Sequence, residues 1–200
     1  MKRITKMVMV GVLVVVLAGC GYTAKNVQQK TFNTRTGVFT ELGNGEIPER
    51  NFAVVIIKAS LKTHVEGYYW LESKDSPCGK ARYPFIFNIA GQTVLWNTQG
   101  QKECLPCYDQ DGKTSHDPDA GEGVKYILDK KIKIRPGTYK WVLDLPNENF
   151  SREVEISLQG GKSYFLEFKP VYKEKTLPTR IPNFIRGIKG YQVYLDGFPL

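Results

Sequence analysis

The hydrophobic positions of this chain follow two different patterns, one before residue 20 and one after residue 50. Residues 7–18 form an apolar run of 12 residues. A helix of that length spans roughly 18 Å, well short of the ~30 Å hydrocarbon core of a bilayer. The run is therefore too short for a comfortable transmembrane helix and favours a cleaved signal segment. A buried helix and an uncleaved anchor are the alternatives.

After residue 50, apolar residues occur in short runs that predict strands. The first of these runs is β-branched, long enough for a buried central strand and too short for a typical helix. The next is aromatic, and a pair of runs around Gly91 has the spacing of a hairpin. The predicted elements are a strand (52–57), a turn (60–63), a second strand (64–71), a hairpin (85–89 and 93–96) and a long polar excursion (97–123).

From residue 124 onward, apolar and polar residues alternate with a period of two. Val154, Ile156 and Leu158, for example, share one face of a strand whose other face is polar. Three alternating strands follow one another over residues 137–168, joined by turns rich in Pro, Gly and Asn, and they predict an antiparallel meander. A last strand is predicted at residues 191–195. No amphipathic helix of three turns follows the signal, so we expect an all-β fold, mainly an antiparallel β-sandwich.

The segment between the two patterns is polar. Residues 20–50 carry too little apolar surface to offset their ordering entropy and predict a flexible tether, although residues 37–42 could dock as a short strand. We therefore expect a signal helix over residues 1–19, a tether over 20–50 and a single β-sandwich domain over 51–200, which is a length typical of one domain.

The apolar run ends in the motif Leu17-Ala18-Gly19-Cys20, and Lys2, Arg3 and Lys6 precede it with positive charge. In these features the N-terminus resembles the lipobox signal of bacterial lipoproteins. The resemblance implies cleavage between Gly19 and Cys20 and a covalent lipid on Cys20 as the one attached group. Gly21 stands where an aspartate would retain such proteins at the inner membrane. The resemblance therefore implies a lipid anchor in the outer membrane, on its periplasmic face or at the cell surface.

The chain is mildly basic, but the expected envelope location argues against nucleic acid as a partner. The 28 Lys and Arg residues exceed the 20 Asp and Glu residues by 8, and loss of the three basic signal residues leaves +5. The basic residues are scattered among acidic ones, which is typical of a solvated surface. No helix-turn-helix, zinc-finger or RNA-binding signature occurs in the chain.

Residues 132–168 suggest a second resemblance. They contain a Pro136-Gly137 turn, an aromatic strand, a polar break, an alternating strand and a Gly160-Gly161 turn before another aromatic strand. In this order they resemble PEGA-type β-domains and the prealbumin-like β-sandwiches of some bacterial lipoproteins. Residues 147–150 (Asn-Glu-Asn-Phe) stand in place of the Pro-Glu-Gly-Ala motif that names the PEGA family. The resemblance implies a non-catalytic surface or binding module.

With Cys20 assigned to lipid, three cysteines remain, an odd number for an oxidising compartment. A disulfide from Cys78 to Cys104 or Cys107 is the favoured interpretation, since it closes a loop of about 27 to 30 residues and stabilises by roughly 3 to 4 kcal/mol. Cys104 and Cys107 also have the CxxC spacing of thiol-redox proteins. As a third possibility, the three cysteines together with His64 or His116 offer the donor types of a zinc site.

Other candidate sites have incomplete patterns. A calcium loop needs several oxygen ligands, but Lys113 and Ala120 occupy two of the positions where ligands are required, so a solvated acidic loop is favoured. Neither His64 nor His116 lies in a nucleophile–base signature. We therefore predict no catalytic residue and no metal site. The acidic residues considered for calcium are Asp109, Asp111, Asp117, Asp119 and Glu122.

Several aromatic residues are candidates for stacking on sugar rings. Trp141 shares its alternating face with Leu143 and Leu145, so packing in the core is the favoured role for this group. An exposed cluster of the rings would instead favour a glycan-binding platform. The residues are Tyr68, Tyr69, Trp70, Trp96, Tyr139 and Trp141.

Together these features predict a lipid-anchored, non-enzymatic protein of the bacterial cell envelope. Its expected partners are the membrane, through the lipid, and a second envelope protein. Two alternatives stay open: a periplasmic thiol-redox protein that uses Cys104 and Cys107, and a lipoprotein that binds glycan or peptidoglycan.

Overall fold

The strands of this chain form one curled sheet around an apolar core. The computed structural model describes residues 35–43, 45–46, 49–108, 110–145, 148, 150–174 and 181–200. Within them the elements are β1 (Phe39–Glu41), β2 (Ala53–Thr63), β3 (Arg82–Ile89), β4 (Gln92–Leu105), β5 (Gly121–Ile134), β6 (Gly137–Leu145), β7 (Phe150–Leu158), β8 (Ser163–Tyr172), a 3₁₀ helix (Asn183–Arg186), β9 (Ile188–Leu195) and β10 (Phe198–Pro199).

The order of strands in the sheet is β10-β9-β8-β2-β5-β4-β3-β6-β7, and β1 pairs with the end of β5. β2 and β8 run parallel to each other, whereas every other paired set is antiparallel. β2 is buried along most of its length, because β5 and β8 flank it and its sequence is almost continuously apolar. β7 at one edge contacts β9 near the other, so the mixed sheet curls into a half-barrel.

β4 connects the two halves of the sheet. Its residues 92–99 pair with β3, and its residues 100–105 pair with β5. At the change of partner, a Cβ on Gly100 would lie 2.6 Å from side-chain atoms of Tyr126 and Val124. Glycine is therefore required where β4 passes closest to β5.

Aromatic side chains join the two halves across the curl. Phe87 of β3 meets Phe168 of β8 edge to face, with ring centroids 5.4 Å apart. Phe150 of β7 approaches Tyr191 of β9 at 5.7 Å, and Trp141 of β6 is fully buried in the same core. Each such side chain removes roughly 150–250 Å² from water, which makes these contacts a major part of what keeps the sheet curled.

The predicted all-β class is confirmed, and the described residues include no α-helix. The β3–β4 hairpin, the docked strand β1 and the C-terminal strand β9 are confirmed as well. The topology differs from the predicted antiparallel sandwich, because β8 leaves the expected meander and pairs with β2 instead of β7. Gly161 N–H donates to Phe52 O, and Val54 N–H donates to Lys162 O, each at 2.9 Å. These bonds tie the turn after β7 to the start of β2. Strand β8 therefore pairs with β2, which is more buried than β7.

Two predicted boundaries are wrong. Residues 64–71 are a loop rather than a strand, since β2 continues through the predicted turn to Thr63. The polar excursion is shorter than predicted, because pairing with β5 extends β4 through residues 97–105 despite their polar sequence.

The predicted signal helix, the motif containing Gly19 and Cys20, and the tether up to residue 34 lie outside the described residues. Within the described ranges, no helix has both the length and the apolar character needed to cross a bilayer.

Candidate functional site

The β2–β3 loop, residues 64–81, is the most distinctive surface of the domain. It is built from successive tight turns, in which Tyr68 N–H donates to Val65 O and Glu72 N–H donates to Tyr69 O, both at 3.2 Å. Lys80 N–H closes a further turn by donating to Pro77 O at 3.2 Å. Gly, Ser, Asp and Pro recur along this segment, and they favour turns over a continuous strand.

The β2–β3 loop is bonded to the rest of the domain at three points, two at its base and one at its tip. At the base, the hydroxyl of Tyr126, on β5, donates to Lys80 O at 2.8 Å, and Gly79 N–H donates to the hydroxyl of Thr63 at 3.0 Å. At the tip, the hydroxyl of Tyr69 donates to Ile185 O of the 3₁₀ helix at 3.1 Å. The loop is therefore bonded to β2, to β5 and to the 3₁₀ helix.

The tip of the same loop is apolar and exposed. Trp70 is 96% exposed and Leu71 is 90% exposed, and the two neighbouring tyrosines are roughly half exposed. Large apolar side chains at such exposure are typical of interaction sites when they are grouped. The prediction that these aromatic residues pack in the core is confirmed for Trp96 and Trp141, which are buried. It is wrong for Tyr68, Tyr69 and Trp70, which are exposed.

The turn residues on both sides are what distinguishes this aromatic group in the sequence. Residues 68–71 (Tyr-Tyr-Trp-Leu) follow Gly67 and precede Pro77. The aromatic residues alone predict a strand, whereas glycine and proline close on either side favour a loop built from turns.

A cavity of about 420 Å³ lies beneath the tip of the loop. Tyr69 and Trp70 form part of its wall, and Glu72, Ser76 and Cys78 form another part. Its rim also carries Glu66, Lys74 and Lys80, with Lys80 and Glu66 joined in an ion pair. The cavity thus combines aromatic surface with charges of both signs.

The loop also gathers His64, Glu72 and Cys78, whose ligand-type atoms all lie within 4.8 Å of one another. Nδ1 of His64 lies 2.9 Å from Val65 O, a contact that requires Nδ1 to carry the donated hydrogen. Nε2 of His64 then faces Glu72 Oε1 at 3.5 Å. The hydroxyl of Ser76 donates to the same carboxylate oxygen at 2.6 Å and orients it.

Cys78 is the buried member of this cluster. Its thiol lies 3.8 Å from Glu148 Oε1 and donates toward it. Burial, together with the carboxylates of Glu148 and Glu72, raises the pKa of the Cys78 thiol to about 12. A thiol of this kind is protonated at neutral pH and is a weak nucleophile, unlike the activated thiolates of redox enzymes.

The structure places the three cysteines in separate settings. Cys78 is buried, Cys104 is exposed and Cys107 is half-buried, and all three are unpaired. The disulfide predicted between Cys78 and Cys104 or Cys107 is not formed here and stays a prediction. Cys104 lies on β4 opposite Glu122, and no helix occurs in the described residues after Cys107 up to β5. The helix N-terminus that activates CxxC thiols is therefore missing from this segment.

A second polar cluster holds the acidic loop before β5. Lys62 is fully buried, and its Nζ donates to Asp119 O at 2.7 Å, to Gly121 O at 2.9 Å and to Glu103 Oε2 at 2.9 Å. Lys125 forms an ion pair with the carboxylate of Asp119. Lysines thus neutralise the end of this loop, which supports the interpretation of its acidic residues as structural and solvated.

The remaining predicted site residues do not join these clusters. His116 is exposed in the loop between β4 and β5, away from the His64 group. Among the calcium candidates, Asp109 lies outside the described residues, and Asp117 accepts the Asp119 N–H at 2.8 Å as a turn residue does. Tyr139 is half-buried against the core.

Comparison with protein-family models, with curated proteins and with solved structures finds no significant match to this chain. The site is therefore interpreted from its own residues.

Proposed function

We propose that this chain is a lipid-anchored, non-enzymatic protein of the bacterial envelope that binds a protein partner through the tip of its β2–β3 loop. The observation that carries the proposal is the near-complete exposure of Trp70 and Leu71 on a loop that is bonded to the rest of the domain. Its bonds involve Tyr126, Thr63 and Tyr69. A fixed loop loses little conformational entropy on binding, which favours affinity. The curled sheet serves as the rigid scaffold that positions this loop, as the two sheets of a β-sandwich do for the binding loops of other proteins.

The anchor part of the proposal rests on the lipobox motif, which ends in Cys20. We place the protein in the outer membrane, on its periplasmic face or at the cell surface, because Gly21 lacks the retention aspartate of inner-membrane lipoproteins. The resemblance of residues 132–168 to PEGA-type domains supports the same non-catalytic class.

The geometry favours a protein partner over a glycan. Stacking on a sugar chain needs aromatic faces that lie side by side, whereas the rings of Tyr68 and Tyr69 stand at 85° to each other. Tyr69 is further engaged by His64, whose ring lies 5.0 Å away and edge-on. Trp70 and the aliphatic Leu71 form an anchor of the kind that fills an apolar pocket on a protein, with charged residues at the rim.

The test uses Trp70→Ala and a matched control, Phe198→Ala. Phe198 is also an exposed aromatic residue, 74% exposed on β10. Binding to partners is measured by pull-down from gently solubilised envelope and by titration with any partner that is recovered. We expect Trp70→Ala to weaken binding about 30-fold, since a central anchor contributes roughly 2 kcal/mol or more. Phe198→Ala should leave binding unchanged.

Recovery of no partner, or equal recovery with Trp70→Ala and wild type, would contradict the proposal.

A glycan ligand is the second candidate, favoured by the exposure of Tyr68, Tyr69 and Trp70. Trp70 is the exposed tryptophan, since Trp96 and Trp141 are buried, so its fluorescence reports binding at the tip. A saturable blue shift with purified peptidoglycan fragments, lost in Trp70→Ala, would favour the glycan over the protein partner.

A further inference from the structure

His64, Glu72 and Cys78 come together from the start, middle and end of the β2–β3 loop. The loop folds back so closely that a Cβ on Gly79 would lie 2.1 Å from Glu66 N. This return brings Cys78, which is 14 residues beyond His64 in the chain, to the imidazole and to the Glu72 carboxylate. One nitrogen, one oxygen and one sulfur donor thus converge at a single point.

The imidazole is oriented as a metal ligand would be. A histidine ligand usually donates its second ring N–H to a carbonyl or carboxylate, which fixes the tautomer and points the other nitrogen at the ion. His64 donates from Nδ1 to Val65 O at 2.9 Å and points Nε2 at Glu72 Oε1. In the neutral imidazole this places two acceptor atoms 3.5 Å apart, an arrangement that a cation between them stabilises.

The spacing also fits a tetrahedral ion. Zinc bonds of ~2.0–2.1 Å to nitrogen or oxygen and ~2.3 Å to sulfur place tetrahedral ligand atoms roughly 3.3–3.6 Å apart, with the larger value for pairs that include sulfur. The separation of 3.5 Å between His64 Nε2 and Glu72 Oε1 is close to the nitrogen–oxygen value, and the whole group spans no more than 4.8 Å. Side-chain shifts of about 1 Å would bring all three ligand atoms to bonding distance of one ion. The Ser76 hydroxyl, which is not itself a ligand, already orients the Glu72 carboxylate.

We propose that His64 Nε2, the Glu72 carboxylate and Cys78 Sγ bind one Zn²⁺-type divalent transition-metal ion. Glu72 and Cys78 also line the cavity that Tyr69 and Trp70 border. The mixed nitrogen, oxygen and sulfur donors select zinc or cobalt over calcium and magnesium, which prefer oxygen ligands alone. On binding, the thiol proton of Cys78 passes to solvent and the sulfur binds as thiolate.

The site differs from the zinc site considered from the sequence. Cys104 and Cys107 take no part in it, and His116 is outside it. The site adjoins the exposed tip, since Glu72 follows Leu71 and the His64 ring lies 5.0 Å from that of Tyr69. Ion binding is therefore measured on the purified chain in the absence of any partner, so that failure of the metal proposal is distinguished from failure of the proposed function.

The test titrates Zn²⁺ and then Co²⁺ into the full chain, purified in detergent under reducing conditions and stripped with a chelator. We expect one equivalent of Zn²⁺ to bind, and Co²⁺ to give a thiolate charge-transfer band in the near ultraviolet. X-ray absorption of the zinc-loaded wild type should show one sulfur at about 2.3 Å with nitrogen and oxygen at about 2.0–2.2 Å. This measurement needs no variant.

Cys78→Ser and Glu72→Gln should each weaken Zn²⁺ binding by more than about 100-fold, because even residues that only support a ligand contribute roughly 10- to 100-fold. The matched controls, Cys104→Ser and His116→Ala, should bind zinc as the wild type does. Circular dichroism checks that each variant is folded. An absence of stoichiometric binding, a sulfur-free zinc environment or a loss of binding in Cys104→Ser would overturn the proposal.

Discussion

Gly79 and Gly67 allow a direct test of how the β2–β3 loop is held. Both residues lie in this loop and both have a positive φ, +72° for Gly79 and +77° for Gly67. They differ in the space around them. A Cβ on Gly67 would meet nothing within 4 Å, whereas a Cβ on Gly79 would lie 2.1 Å from Glu66 N and 2.5 Å from Val65 C.

Both alanine substitutions therefore lose stability through backbone strain, and Gly79→Ala loses more through a steric clash. An alanine forced to a left-handed backbone costs about 1–2 kcal/mol, and Gly67→Ala should lose only this amount. Gly79→Ala must in addition push two backbone segments apart by about 1 Å, and overpacking of this kind costs roughly 1–3 kcal/mol more. Each kcal/mol lowers the melting temperature by about 2–4 °C in a domain of this size.

The free energy of unfolding is measured for both variants by urea denaturation, followed by far-ultraviolet circular dichroism so that Trp70 does not dominate the signal. We expect Gly79→Ala to be the less stable by at least about 1 kcal/mol, and to expose the loop to proteolysis. Equal stabilities would refute the reasoning, because they would mean that the loop does not fold back onto Glu66.

Three further predictions follow from individual contacts. Lys62→Met removes the three hydrogen bonds of the buried Nζ and should cost about 3 kcal/mol in urea unfolding, whereas Lys58→Met, half-buried on the same strand, should cost much less. Tyr126→Phe loses the bond to Lys80 O and should cost about 1–3 kcal/mol at neutral pH. Burial raises the pKa of Tyr126 from 10.0 to about 12, so the folded state keeps the phenol neutral after the unfolded state has ionised it. The stability that the neutral Tyr126 hydroxyl contributes is therefore complete below pH 10 and is lost as the pH rises toward 12. The free energies of unfolding of wild type and Tyr126→Phe should converge over that range. Cys20→Ser should abolish lipid attachment and leave an uncleaved precursor, and mass spectrometry showing a lipidated N-terminus in that variant would contradict the lipobox assignment.

Much of the secondary structure is determined by local sequence. The alternation in β7 reflects a strand with one face exposed to solvent, and the apolar run that begins β2 reflects a segment that is largely buried on both faces. The turn at Gly91 fixes the hairpin of β3 and β4 because few other conformations connect the two runs. These features depend on residues close together in the chain, so periodicity alone reveals them.

The pairing of β8 with β2 could not be predicted in this way. By composition, β8 could pair with either β7 or β2. In the structure it pairs with β2, and the backbone hydrogen bonds from Gly161 to Phe52 and from Val54 to Lys162 hold the start of β8 beside that strand. The polar residues 97–105 become a strand for a similar reason, since β5 supplies their backbone partners. Local propensity describes one strand at a time, whereas a sheet is chosen by competition among partners.

The sequence by itself determined the all-β class and the strands with clear alternation, because each depends on neighbouring residues. The predicted lipid anchor at Cys20 likewise rests on local sequence alone. Only the tertiary structure decided which aromatic residues are buried, that Trp70 stands exposed while Trp96 does not, and that Cys78 meets His64 and Glu72 rather than another cysteine. These outcomes depend on how the β2–β3 loop folds back against β5 and the 3₁₀ helix. Contacts of that kind join residues far apart in the chain, and no local pattern encodes their geometry.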